Sequence, residues 1–396
     1  MLSSFQSGYR AKHSTKTVML KVSDDIGISL DNGKPVLLIL LDFSKAFDTV
    51  SHSILCRKLQ QNYGCSLDAV NLVKSYLENR VQTVYNNGEF SRFVHTTSGV
   101  PQGSILGPIL FTLYINDLPS ILKHCHIHIF ADDVQIYLEH SEASDWKINE
   151  DLDAIYKWAV KNKLSMNANK SHAMFINNGY LNYTKPEIKL QNVSLKYVKS
   201  AVSLGFNIQS NFEWDSFILN QCGKVYAKLR TLQLTAVFLR TEIKLRLFKS
   251  LILPHFITCD LWLMQTSART IQKMRVAHNS CVRFVFGLGR FSHVSHLQHH
   301  LLGCSFDIFS KSRCCQFIFN VANNRLPGYL FEKLSPFRGN RSRKFIIHRH
   351  RTAKYGGTFF VRGVAFWNSL PNDVTMIQSS GQANFRRRIY EHFECN

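Results

Sequence analysis

Six apolar residues in a row, Val36-Leu37-Leu38-Ile39-Leu40-Leu41, stop abruptly at Asp42. The run is far short of the roughly 20 residues a membrane helix needs. It reads as a buried strand over residues 36–42. An acid at the end of such a strand can point into whatever cleft the strand borders.

The segments around it alternate between two periodicities. Residues 14–30 space Val18, Val22 and Ile26 as a helix does, and Asn32-Gly33 marks the turn that follows. Helices are expected at 51–63 and 67–78. Strands at 82–85 and 90–96 flank Asn87-Gly88, a strong hairpin signal. Residues 103–118 read as a helix with an irregular entry. Strands at 126–130 and 134–138 stand on either side of Ala131-Asp132-Asp133 as a second hairpin. An amphipathic helix at 152–163 and a strand at 171–176 complete this part. Mixed helices and antiparallel strands make the fold class α+β. From about residue 217 the pattern turns helical, with helices at 219–234, at 242–253 ended by Pro254, and at 271–286 stopped by Gly287 and Gly289. No internal repeat appears.

Charge divides the chain in the same place. Residues 1–216 carry 21 Lys and Arg against 20 Asp and Glu, whereas residues 217–396 carry 27 against 7. Nearly all of the net +21 therefore lies in the second part. A balanced, acid-bearing first part joined to a strongly basic second part suits a catalytic module with a grip for a polyanion. The ten Cys include no C-x-x-C pair, which resembles reduced, intracellular usage. Neither a secretory signal nor an apolar run of membrane length is present. The expected location is the nucleus or the cytoplasm. Arg386-Arg387-Arg388 and residues 341–344 are short basic clusters that suit phosphate contact better than an import address.

Asp42 at a strand end and Asp132 with Asp133 at a hairpin tip can meet in one cleft. Adjacent carboxylates repel unless cations neutralise them. Magnesium takes a few carboxylate oxygens together with substrate phosphates. Two such ions roughly 3.5–4 Å apart can activate a hydroxyl and stabilise a leaving pyrophosphate. An Asp-Asp pair on a turn is weak evidence alone, since most are solvated turns.

The wording around these acids adds much more. Leu41-Asp42-Phe43-Ser44-Lys45-Ala46-Phe47-Asp48 resembles motif A of reverse transcriptases, and Phe130-Ala131-Asp132-Asp133 resembles motif C. Between them, Ser98-Gly99-Val100-Pro101-Gln102-Gly103-Ser104-Ile105-Leu106-Gly107-Pro108 resembles motif B of the non-LTR retrotransposon group, the LINE and jockey-like elements. Gln6-Ser7-Gly8-Tyr9-Arg10 is similar to a fingers segment of that family. Lys163-Leu164-Ser165-Met166-Asn167 with Lys170 is similar to motif D, and Val202-Ser203-Leu204-Gly205 to motif E. Residues 240–290 and Trp367-Asn368-Ser369-Leu370-Pro371 look like the thumb and tail of such elements.

The resemblance implies a right-hand polymerase: partial fingers and palm over 1–205 with an antiparallel palm sheet, a helical thumb over 206–290, and a basic, mainly helical region over 291–396. It implies an RNA-directed DNA polymerase, a nucleotidyltransferase that takes an RNA template, a DNA primer and dNTPs with two Mg2+ ions, or Mn2+ in their place. Asp42 and Asp132 would hold both metals, with Asp133 assisting and the backbone carbonyl of Phe43 completing one site. Phe47 would lie under the incoming sugar and clash with a 2′-hydroxyl. Arg10, helped by Lys12, would hold the triphosphate. Gln102 would sit beside the nucleotide and template base, with Gly99 and Gly103 allowing close backbone approach. Lys170 would protonate the leaving pyrophosphate.

In the basic part, Lys224 with Lys228 and Arg240 with Lys244 are four apart on expected helices, with Arg246 nearby. They read as contacts to a nucleic-acid backbone. His293, His296, His299, His300 and Cys304 cluster without the paired Cys of a zinc site. Nothing in the sequence resembles an endonuclease, and the family's earlier fingers motifs are missing before Gln6, so the chain reads as N-terminally truncated. The rival reading is a nucleic-acid-binding remnant of a truncated element without activity. The test that separates them is nucleotide incorporation.

Overall fold

Val36–Leu41, designated β1, runs through the middle of a five-stranded sheet, and Leu38 and Ile39 are fully shielded from solvent. The computed structural model describes residues 2–141, 145–177, 183–235, 238–337 and 343–395. These fall into two compact units. One comprises Met1–Val18 with Lys34–Leu204; the other comprises Met19–Gly33 with Gly205–Asn396.

In the first unit the other strands are β2 (His126–Phe130), β3 (Asp133–Glu139), β4 (His172–Ile176) and β5 (Lys196–Tyr197), and the spatial order is β5-β4-β1-β3-β2. All neighbours are antiparallel except β4 and β5. A central strand has both faces covered, which is why β1 tolerates no polar residue. Leu37, Ile39 and Leu41 share one core with residues of the helices His52–Tyr63, Leu106–Ile115 and Asp145–Lys161, among them Leu55, Phe111 and Ile155. Each such side chain contributes about 1.5–3 kcal/mol when fully buried. The last of these helices begins at Asp145, well before the expected residue 152. Ile148 explains the extension: it lies on the face of Leu152 and Ile155 and is fully buried.

The hairpin at Asn87-Gly88 forms as the dipeptide dictates, with φ of +50° and +93° at its two turn residues. Its inner rung pairs Tyr85 with Phe90, and an outer rung pairs Val81–Gln82 with Val94–His95. All of these residues are exposed.

The second unit receives the helix Thr15–Asp31 from Met19 onward. There Lys333 donates to Asp24 at 2.5 Å and lies 2.6 Å from Asp25, while the Tyr355 hydroxyl donates to Asp24. Asp31 accepts from the backbone N–H groups of Arg351 and Thr352, at 2.9 and 2.7 Å. The helices expected at 219–234 and 271–286 form, as Asp215–Thr235 and Ala268–Phe286. Ser267 caps the second of them and Gly287, at φ +65°, ends it. Pro254 does not end its helix, contrary to expectation. A wide π turn over Phe248–Ile252 precedes it, and Pro254 falls in the first turn of the next helix, Leu253–Cys259, where a missing N–H costs nothing. Helix Phe306–Ala322 packs on the C-terminal helix Gln382–Cys395 through the stacked Phe319 and Phe385 rings, 4.1 Å apart. Of the basic cluster at 341–344, Arg341 and Ser342 lie outside the described residues.

Candidate active site

The sheet register brings the acids together. Leu41 pairs with Val134, so Asp42 emerges from β1 beside Asp133, the first residue of β3. Phe130 pairs with Asp133, which leaves Ala131-Asp132 as a two-residue turn. Ala131 takes a left-handed conformation, φ +57°, which non-glycine residues adopt only at a cost. Asp42 is held by its own backbone. Its N–H donates to the Ser171 hydroxyl, and its carbonyl accepts from the N–H of Asn167.

Desolvation pushes the Asp133 carboxyl above its ordinary value, and the negative charges of Asp132 and Asp42 push it further. Asp133 therefore feels both of the other acids, and among the described residues no ion pair ties any of the three to a basic side chain. Carboxylates without a basic partner are a hard oxygen donor set of the kind magnesium takes. Among the described residues, no three His, Cys, Asp or Glu side chains are drawn close enough to hold a metal ion alone. Magnesium does not require such a cage, because water and substrate phosphates normally complete its shell. Lys170 is exposed and lines the same cavity as Asp42 and Asp133.

Motif B docks against motif A through backbone bonds. Gly99 N–H donates to Val50 O at 2.8 Å, Val100 N–H donates to Phe47 O at 2.9 Å, and the Ser98 hydroxyl donates to Asp48 O. Gly99 has φ +89°, and a Cβ there would meet the Asp48 carbonyl at 2.8 Å. Only glycine fits. The Gln102 amide donates to the Asp48 carboxylate at 2.8 Å, in a cavity also lined by Lys45 and Arg80. Gly103 has φ +78° and open space around its Cα. Phe47 stacks on Phe111, with centroids 4.3 Å apart, and meets the edge of the exposed Tyr9 ring. Phe43 is buried and pairs with Met166, so the motif D strand lies against motif A.

The basic residues expected from the sequence are either engaged or exposed. The Arg10 guanidinium donates to the backbone carbonyls of Ser3 and Gln6. Lys12 is exposed, with φ +69°. In the second unit Lys224, Lys228, Arg240 and Arg246 are exposed, but Lys244 is not. It is buried with its ammonium 5.5 Å from the Phe284 ring centroid, because helix Thr241–Leu247 packs that face on Ala268–Phe286. His293 stacks with His296, and the His299 and His300 rings lie 4.0 Å apart at a tilt, without a metal-holding group among the described residues.

Sequence reasoning missed how Gln6-Ser7-Gly8 is used. The segment runs parallel to β2: Ser7 N–H donates to Ile129 O, and Ile129 N–H donates to Phe5 O. The only local signal was a lone glycine in a segment without periodicity.

The sequence profile of the family described as reverse transcriptase (RNA-dependent DNA polymerase) matches residues 1–208. The chain is 27% identical over 319 residues to a probable RNA-directed DNA polymerase from the transposon X-element of Drosophila melanogaster, covering 77% of this chain and 34% of that protein. It is 32% identical over 176 residues to the RNA-directed DNA polymerase from the mobile element jockey of Drosophila funebris, covering 42% and 19%. The chain thus spans about a third or less of the curated relatives it matches. Among solved structures, telomerase of Candida tropicalis in complex with a fragment of telomeric RNA aligns at a TM-score of 0.41 and 11% identity, over 98% of this chain and 53% of that one.

Proposed function

The chain belongs to the reverse transcriptase (RNA-dependent DNA polymerase) family, in its non-LTR retrotransposon branch, and we propose that it extends a DNA primer on an RNA template in the cleft of Asp42, Asp132 and Asp133. The observation that carries this reading is the convergence of these three acids at one end of the sheet, next to the docked motifs A and B. In this reading Asp42 and Asp132 would hold two Mg2+ ions, with help from Asp133 and the Phe43 carbonyl. When bound, those ions would activate the primer 3′-hydroxyl and stabilise the leaving pyrophosphate.

The chain's own residues do the rest. Phe47, braced by Phe111, presents a ring that a 2′-hydroxyl would strike. Gln102, oriented by Asp48, forms a wall of the nucleotide pocket. Lys170 at the rim carries a proton on Nζ that it can give to the departing pyrophosphate. Arg10 and Lys12 approach the triphosphate. The exposed Lys224, Lys228, Arg240 and Arg246 grip the template–primer backbone without reading its sequence.

The test is extension of oligo(dT) on poly(rA) with magnesium and dTTP, beside an Asp132→Asn control of equal thermal stability. Wild-type extension that disappears in the control supports the polymerase. Hybrid binding by folded wild type with no extension refutes it in favour of a nucleic-acid-binding remnant.

A further inference from the structure

Gln6 is completely buried, yet it belongs to no helix or named strand of the sheet. Its carboxamide oxygen accepts from two backbone N–H groups: Gly8 at 2.7 Å and Ala131 at 3.3 Å. Ala131 immediately precedes Asp132 and carries the left-handed conformation of the turn. Gly8 presses on the same point from outside. A Cβ on Gly8 would lie 2.3 Å from Ala131 N and 2.9 Å from Ala131 Cα. Two short backbone bonds fix the segment along β2, and the Ser7 hydroxyl adds a 2.9 Å bond to His128.

A two-residue turn without glycine has little reason of its own to hold φ +57° at Ala131. Here that conformation is imposed by neighbours. The amide of Ala131 is tethered to Gln6, and its Cα is enclosed by a residue that has no side chain. Rotating this peptide would displace the carboxylate of the next residue, Asp132, whose charge acts on Asp133.

We propose that Gln6 and Gly8 are positioning residues that clamp the Ala131 peptide and thereby aim the Asp132 carboxylate for metal binding; this rests on the reading of Asp42 and Asp132 as the metal-holding pair. A purely structural role would predict the same consequences for any residue that fastens this segment. Ser7 supplies the comparison, since its hydroxyl fastens the same segment to His128, on the strand ahead of the turn.

The experiment is Mn2+ titration of the full chain without substrate, read by the paramagnetic signal of free ion, together with melting temperatures. Wild type, Gln6→Met, Gly8→Ala, Ser7→Ala and Asp132→Asn are compared. The expected result is Mn2+ affinity roughly 10–100-fold weaker in Gln6→Met and Gly8→Ala, the usual cost of losing a residue that orients a ligand. Ser7→Ala should keep wild-type affinity even where its melting temperature falls. In primer extension, Gln6→Met should need correspondingly more Mg2+ for half-maximal rate while its KM for dTTP stays put. Should Gly8→Ala fail to fold, Gln6→Met alone decides. Wild-type Mn2+ affinity in Gln6→Met, or an equal loss in Ser7→Ala, overturns the clamp. Wild type that binds no Mn2+ in an Asp132-dependent way overturns the underlying metal reading, and the clamp with it.

Discussion

His278 makes the second unit sensitive to acid. Its ring is fully buried between Phe256 and Phe306, with centroids 5.7 Å away on each side, and neither ring nitrogen has a hydrogen-bond partner among the described residues. Burial alone drives its pKa down to about 3, from 6.5 in an unfolded chain. The folded state therefore keeps His278 neutral where the unfolded state takes up a proton. Stability is at its full value above pH 6.5, falls as the pH drops from 6.5 towards 3, and this contribution then levels off. The slope is about 1.4 kcal/mol per pH unit. At pH 4.5 this amounts to about 2.7 kcal/mol lost relative to pH 7.5, a large share of a typical domain's stability. Carboxylates titrate in the same range, so the measurement must be a difference. Replacing His278 by Leu, of similar volume, removes two unsatisfied polar atoms and the proton linkage together. Urea unfolding followed by tryptophan fluorescence should find His278→Leu more stable by roughly 1–3 kcal/mol at pH 7.5. That advantage should widen by about 2.7 kcal/mol at pH 4.5. A stability difference that stays constant between the two pH values would refute the reasoning, as would an imidazole that titrates near 6.5 in the folded protein.

Three further outcomes are expected. Phe47→Val should raise the ratio of ribonucleotide to deoxyribonucleotide incorporation by tenfold or more, about 1.4 kcal/mol of lost exclusion, in single-nucleotide extension assays. Lys224→Gln with Lys228→Gln should weaken binding to an RNA–DNA hybrid alike for all sequences. It should also flatten the plot of log affinity against log salt by up to about 0.9 per lysine, as read by fluorescence anisotropy. Lys333→Met leaves Asp24 and Asp25 without their shared cation and should cost about 3–5 kcal/mol in denaturant unfolding.

Where local rules decide the structure, the sequence was a sufficient guide. Val36–Leu41 could only be an interior strand, Asn87-Gly88 could only be a turn, and Gly287 ended its helix where a left-handed residue was needed. The places of Asp42 after a strand and Asp132 in a hairpin turn were legible for the same reason, since both are local features. What escaped was set by distant partners. The start of the helix at Asp145 depends on Ile148 finding the core. Lys244 turned inward because its helix face met Phe284. Gln6 lies 125 residues from the amide it tethers, and no spacing rule reaches that far. Pro254 continued a helical path because a π turn, invisible to 3.6-residue periodicity, made room for it.

The helix Thr15–Asp31 has a consequence for the order in which this chain can mature. Asp24 reaches its partner Lys333 across 309 residues of sequence. At ribosomal speeds of about 5–20 residues per second, the helix waits roughly 15–60 s for that partner to be made. During that interval Val22 and Ile26, fully buried in the finished unit, have no lasting cover, and a lone helix of 17 residues is barely stable in water. The second unit therefore cannot finish folding until residue 333 has been made, and a nascent chain paused before that point would present the apolar face of this helix to the cell's holding chaperones.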